Sequence, residues 1–307
     1  MSVAVTRVAA AVSFVVLAAA AMAGCGLGRP EQTPWPKTSS VFDATTTMPT
    51  TTAETTPVAA TTTARYSGTL PASGPWVSVS PRSFPRDQDG WAYGVEPAPG
   101  IAAFQAESGG DLGGCTIGFP IADSKGTVAF LSAGHCDRRN GERLKMFTTP
   151  DNAYSLELGD YQQGRDDVSP SGAPDTPIAG APSRDYAVLT MGPQLYRSYS
   201  TRLAPGVRLR GMMPTNAVQT LPNGTAICRN GARSGITCGP LISATDKTFS
   251  WRATSIKGDS GSAVFVVNAS GEALGVGIMS QTSADGSAIA TYLAPALRQF
   301  GLDLVLG

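Results

Sequence analysis

Gly258-Asp259-Ser260-Gly261-Ser262-Ala263-Val264-Phe265-Val266-Val267 sets a serine between glycines and runs straight into five apolar residues. The apolar run is short and β-branched, which reads as a buried strand rather than a helix. The glycines let the backbone turn tightly just before it. Similar short runs at 128–131, 186–191, 274–280 and 288–293 read the same way. Turn signals at Pro222-Asn223-Gly224 and Ala284-Asp285-Gly286 fall between them. With 35 Gly and 23 Pro in 307 residues, the pattern is that of an all-β domain built from short strands. Only 294–300 reads as helix, with Leu297, Phe300 and Leu302 able to dock on a sheet. No internal repeat has a fixed period.

The serine is also the place to look for chemistry. A hydroxyl is a weak nucleophile and needs a base within hydrogen-bond reach. His135, the single histidine, is the obvious base, and it sits in Leu131-Ser132-Ala133-Gly134-His135-Cys136 at the end of a strand-like run. Around Ser260 the turn aims backbone N–H groups inward, so Gly258 and Ser260 are the candidate oxyanion donors. Each such donor contributes roughly 3–4 kcal/mol to a transition state. The segment is not a GxSxG elbow, because Ser262 occupies the last glycine position. A carboxylate is needed to orient the imidazole. Asp137, Asp151, Asp160, Asp166, Asp167, Asp175 and Asp185 lie between His135 and Ser260. Most sit in polar, Pro/Gly-rich stretches that read as solvated loops. Asp185 stands at the mouth of a buried-looking strand, Asp185-Tyr186-Ala187-Val188-Leu189, and ranks first.

Charge and composition exclude other classes. The formal net charge is zero, which gives no reason to expect a nucleic-acid partner. A lone histidine and the absence of zinc-like Cys/His spacing leave no expected metal or cofactor. Hydrophobic content of 42% with 15% charged residues suits a packed core.

Residues 1–24 read as a signal peptide, with Arg7 before an apolar run at 8–23. Two cleavage readings stay open at its end. Ala21-Met22-Ala23 suits an ordinary signal peptidase and plain secretion, whereas Met22-Ala23-Gly24-Cys25 resembles a lipobox that lipidates Cys25. Five cysteines favour the lipobox: Cys115, Cys136, Cys228 and Cys238 can form two disulfides, and Cys25 is the one left over. Residues 25–75 then carry the anchor and a disordered Thr/Pro-rich linker, punctuated by Thr45-Thr46-Thr47, Thr50-Thr51-Thr52 and Thr61-Thr62-Thr63. The linker reads either as a plain tether or as an O-glycosylated stalk. Residues 76–307 form the domain, and 66–100 are either a small pro-segment or part of it.

Taken together, the segments Cys115-Thr116-Ile117-Gly118-Phe119, Ala133-Gly134-His135-Cys136, Arg184-Asp185-Tyr186, Cys228-Arg229-Asn230-Gly231 with Cys238-Gly239, and Gly258-Asp259-Ser260-Gly261 resemble the chymotrypsin-like serine proteases. The bacterial alpha-lytic-type branch is the most similar. Chain order His, Asp, Ser agrees with it. The resemblance implies a double six-stranded antiparallel β-barrel with a short C-terminal helix. It implies a serine endopeptidase with His135, Asp185 and Ser260 as catalytic triad, acting on protein or peptide substrates; the lipobox reading of Cys25 would place it on the outer face of a bacterial envelope. It pairs Cys115 with Cys136 and Cys228 with Cys238, each bridge contributing roughly 2–3 kcal/mol. It also implies an internal ion pair between Arg229 and Asp259, and a role for Ser280 in holding the triad aspartate and starting the substrate-binding edge. Gln281 and Thr282 continue that edge where many relatives carry glycine, so a narrowed pocket for small or medium apolar side chains is expected. Those two residues and Ser262 also leave a second reading, a pseudoprotease or latent binding module on the same fold. A monomer is expected, attached to the membrane only through the Cys25 lipid.

Overall fold

The computed structural model describes residues 62–64, 70, 72–107, 110–167 and 183–307. The signal segment 1–24, the lipobox Cys25, nearly all of the Thr/Pro-rich linker and the candidate acid Asp175 lie outside the described residues.

The described residues hold seventeen strands and two α-helices. In the first half they are β1 (Thr62–Ala64), β2 (Ala102–Ala106), β3 (Leu112–Thr116), β4 (Pro120–Ala122), β5 (Val128–Ser132), β6 (Lys145–Phe147), β7 (Ser155–Glu157), β8 (Tyr161–Asp166) and β9 (Asp185–Leu189). In the second half come β10 (Arg208–Met212), helix α1 (Thr215–Gln219), β11 (Ala226–Gly231), β12 (Gly235–Ala244) and β13 (Thr248–Trp251). They are followed by β14 (Ala263–Val267), β15 (Glu272–Thr282), β16 (Ala288–Tyr292), helix α2 (Leu293–Phe300) and β17 (Asp303–Leu306). The all-β class and the short C-terminal helix agree with the sequence reading, and each strand expected from an apolar run is present within a few residues. Helix α1 was not expected, because five residues carry too little periodicity to be read.

The second half closes on itself. Its sheet runs β15-β14-β11-β12-β13-β16, and β16 returns to β15, which makes a six-stranded barrel with β10 added in parallel outside β15. All five residues of β14 are buried, as a strand packed on both faces requires. The first half is two sheets, β1-β17-β4-β5-β9-β8 and β3-β2-β6-β7. Its first sheet is completed by β17, so the end of the chain returns to the first half after α2. Helix α2 buries Leu293, Ala294, Ala296 and Leu297 and stops at Gly301, whose φ of 65° is the left-handed cap that glycine tolerates best.

The segment between β1 and β2 is packed as well. Ala72 is buried with the second-half core, and Val77 N–H donates to Val267 O at 2.9 Å. Trp91, Ala92 and Ala98 are buried as well. Residues 72–100 therefore pack as part of the domain.

Candidate active site

The β5–β9 pairing brings the first two site residues together. Ser132 lies opposite Ala187, so the end of β5 adjoins the start of β9. Beyond β5 the chain makes a 3₁₀ turn, Gly134–Cys136, that carries His135. Gly134 is dictated by close approach: a Cβ there would fall 1.7 Å from the carbonyl oxygen of Arg165. Cys136 is bonded to Cys115 across this turn, and Cys228 to Cys238 in the second barrel. The sulfurs beside His135 are thus oxidised, and the Cys115/His135/Cys136 cluster has no thiolate to offer a metal ion.

Asp185 is fully buried and its carboxylate is saturated with donors. Oδ2 accepts from His135 Nδ1 at 2.9 Å, and Oδ1 accepts from the His135 backbone N–H, also at 2.9 Å. Ser280 Oγ, from β15 in the other half, donates to Oδ2. This fixes the tautomer: Nδ1 carries the proton, and Nε2 is left for chemistry. Burial alone would lower the imidazole pKa, but the charge and hydrogen bond of Asp185, with help from Asp166, carry it above the ordinary 6.5. Asp166 was read from sequence as a loop acid. It closes β8 instead, opposite Asp185 in the strand register, and is 3% exposed. A single acid after Gln162-Gln163-Gly164-Arg165 gives no periodic signal of burial, so only the strand pairing reveals it.

Ser260 reaches the same place from the second barrel. Gly261 N–H donates to Met279 O at 2.8 Å, which sets Ser260 beside the β15 residue next to Ser280. Thr116 N–H donates to Ser260 O at 2.7 Å. Gly261 presses on the segment leading to His135, where a Cβ would meet Ser132 Oγ at 2.2 Å and Ala133 N at 3.0 Å. Ser260 is half-buried, and among the described residues no hydrogen bond joins its Oγ to His135. Along this loop the amides alternate. Asp259, Gly261 and Ser262 N–H donate to Ile256, Met279 and Asp259 carbonyls. Among the described residues, Gly258 and Ser260 N–H have no such protein acceptor.

Asp259 points the other way, into the barrel. Its carboxylate lies 2.9 Å from Arg229 Nη2, with both side chains fully buried. It also accepts from Ile256, Arg233 and Ser234 N–H at 2.9–3.1 Å and from Ser234 Oγ. Burial would raise the Asp259 pKa, but Arg229 and these donors bring it below the ordinary carboxylate value. Gly231 leaves room for the pair, since a Cβ would lie 2.1 Å from Arg229 Nη1 and 2.2 Å from Asp259 Oδ1. Ser262 is buried and donates its hydroxyl to Asp259 O. At the end of β15, Gln281 is half-buried, and Thr282 is exposed and paired with Ala288.

No protein-family model matches the chain, and no curated protein matches it. Solved structures do. Protease A of Thermobifida fusca is similar at 21% identity and a TM-score of 0.44, over 68% of this chain and 100% of that one. A Nocardiopsis protease is similar at 18% identity and 0.44, over 69% and 100%. A Cellulomonas bogoriensis chymotrypsin is similar at 20% identity and 0.42, over 69% and 100%. Identities this low assign no residues. The roles below rest on the chain's own geometry.

Proposed function

We propose that the chain is a serine endopeptidase working through His135, Asp185 and Ser260. The observation that carries this reading is the Asp185 carboxylate, which holds the only imidazole by Nδ1 while Ser260 is seated against the same strand ends. Ser260 Oγ attacks a peptide carbonyl and passes its proton to Nε2 of His135. Asp185 stabilises the imidazolium that forms. The N–H groups of Gly258 and Ser260 receive the oxyanion. His135 then protonates the leaving amine, and water hydrolyses the acyl-enzyme by the same route in reverse. The Ser260–His135 contact is expected to tighten once substrate excludes water, as catalytic hydrogen bonds often do.

Thr282 and Gln281 line the expected substrate edge, which favours small or medium apolar side chains in the primary pocket. Lipid on Cys25 would anchor the protein, with the Thr/Pro-rich stalk holding the domain clear of the bacterial membrane on its outer side.

Fluorophosphonate labelling tests the chemistry. Wild type is expected to label, and both Ser260→Ala and His135→Ala to lose labelling. Labelling that survives Ser260→Ala removes the nucleophile assignment, and a folded wild type that does not label is a binding module instead. A globomycin-sensitive mobility shift abolished by Cys25→Ala tests the anchor.

A further inference from the structure

The strap formed by residues 72–100 packs on both halves and carries Trp91 onto the loop that holds Gly258. It begins at the β14–β15 turn, where Trp76 bridges to Asn268. Further along, Arg86 inserts its guanidinium among backbone carbonyls, donating to Gly90 and Arg233 at 2.9–3.0 Å and to Ala232. A tight turn follows, closed by Asp87, whose Oδ1 accepts from Asp89 and Trp91 N–H, both at 2.9 Å. Arg86 and Ala92 bridge across it, and Ala92 N–H donates to Ala232 O at 2.8 Å. The turn is thus attached to the 231–233 loop on both sides of Trp91, by the Arg86 side chain and by the Ala92 N–H.

Trp91 is 1% exposed and wedged between the halves. One edge of its ring meets Phe104 of β2, with centroids 5.0 Å apart, and the Arg233 guanidinium lies 4.5 Å over its face. The far end of the ring faces Gly258. A Cβ on Gly258 would stand 2.4 Å from Trp91 Cη2, 2.6 Å from Cζ3 and 2.7 Å from Arg233 Cγ. Gly258 has φ of 103°, a conformation that only glycine adopts readily. Its carbonyl is held on another side by Thr116 Oγ1 at 2.8 Å, and that hydroxyl in turn accepts from Ala232 N–H at 3.0 Å. Trp91, Arg86 and Thr116 therefore converge on one peptide through the 231–233 loop.

We infer that Trp91 is a positioning residue for the proposed oxyanion hole: its ring, clamped by Phe104 and Arg233, holds Gly258 in the left-handed conformation that leaves its N–H free for a developing charge. Preorganised donors stabilise a transition state because they need no reorganisation when charge appears. The strap is accordingly a working part of the active domain and not a segment to be removed. This inference rests on the serine-hydrolase reading above.

The test uses the full chain, with a fluorophosphonate and p-nitrophenyl acetate as probes. Trp91→Phe keeps an aromatic against Phe104 and Arg233 but withdraws the ring end that touches Gly258. It is expected to fold, to lose about tenfold in labelling rate and in kcat for the ester, and to leave KM within about twofold. Trp91→Ala is expected to lose about a hundredfold, approaching removal of an oxyanion donor. The pH at which activity rises should be the same in Trp91→Phe and wild type, because His135 and Asp185 are untouched. Equal rates in wild type and folded Trp91→Phe would overturn the inference, as would a loss carried by KM or by a shifted pH profile. Should Trp91→Ala fail to fold, Trp91→Phe decides alone. Wild type that does not label at all removes the hydrolase reading and this inference with it, whereas a labelling wild type with an unaffected Trp91→Phe removes only the inference.

Discussion

Two buried carboxylates flank the candidate nucleophile, and they are satisfied in opposite ways. Asp259 is met by a permanent cation, Arg229, and by donors from its own barrel. Asp185 is met by an imidazole, a backbone N–H beside it and a hydroxyl from the other half. The first arrangement never has to change, so it serves as scaffold. The second includes a group that can gain and lose a proton, so it suits the proposed chemistry, and it is built only when the two halves are docked. Their pH signatures differ accordingly. The lowered Asp259 pKa contributes stability that is present above the ordinary carboxylate value of 3.8 and is lost as pH falls through the folded value. The raised His135 pKa contributes stability that is present below 6.5 and is lost as pH rises through the folded value.

Removing the charge at Asp185 should break the chemical side of this comparison most severely. Asp185→Asn is expected to keep the fold and lower kcat about 10⁴-fold, since an amide can hold the imidazole in the wrong tautomer. Ester hydrolysis alongside circular dichroism would check both halves of that statement. On the scaffold side the effect is on stability. Arg229→Ala leaves Asp259 buried without its cation and should cost about 3–5 kcal/mol in urea unfolding at neutral pH. That loss should shrink toward acid pH, where Asp259 is protonated in both states.

Smaller changes sharpen the contrast. Ser280→Ala removes one charge-assisted hydrogen bond from Asp185 and is expected to reduce kcat about tenfold, with the His135–Asp185 contact retained. Asp166→Asn removes a neighbouring negative charge from His135 without changing a residue of the proposed triad. Wild-type kcat/KM should rise with pH through a value above 6.5, because the base works only when neutral. In Asp166→Asn that limb should move to lower pH while the plateau stays, and a pH–rate profile decides it.

Much of this candidate site is legible in the sequence. Ser260 lies in a glycine turn before an apolar strand, His135 is unique, and Asp185 opens a strand of five buried residues. Those are local signals, carried by neighbours within a few positions. Asp166 and Trp91 carried no such signal. Asp166 matters because β8 and β9 pair in a register that sets it opposite Asp185. Trp91 matters because a turn closed by Asp87 carries it onto Gly258, far along the chain. The closed six-stranded barrel of the second half was expected only through the family resemblance, since strand runs of similar length precede both a closed barrel and the two sheets of the first half.

By itself, then, the sequence determined the all-β class, the candidate nucleophile, base and acid, and the cysteines available for bridging. Strand period, turn chemistry and residue type are properties of short stretches. Only the tertiary structure decided that the His135 backbone N–H also donates to Asp185, that Asp166 is buried beside it, and that Trp91 packs against Gly258. Those outcomes depend on contacts such as Thr116 Oγ1 to Gly258 O, which joins residues 142 positions apart. No local propensity encodes such a contact; it forms when the buried faces of the two halves are packed together.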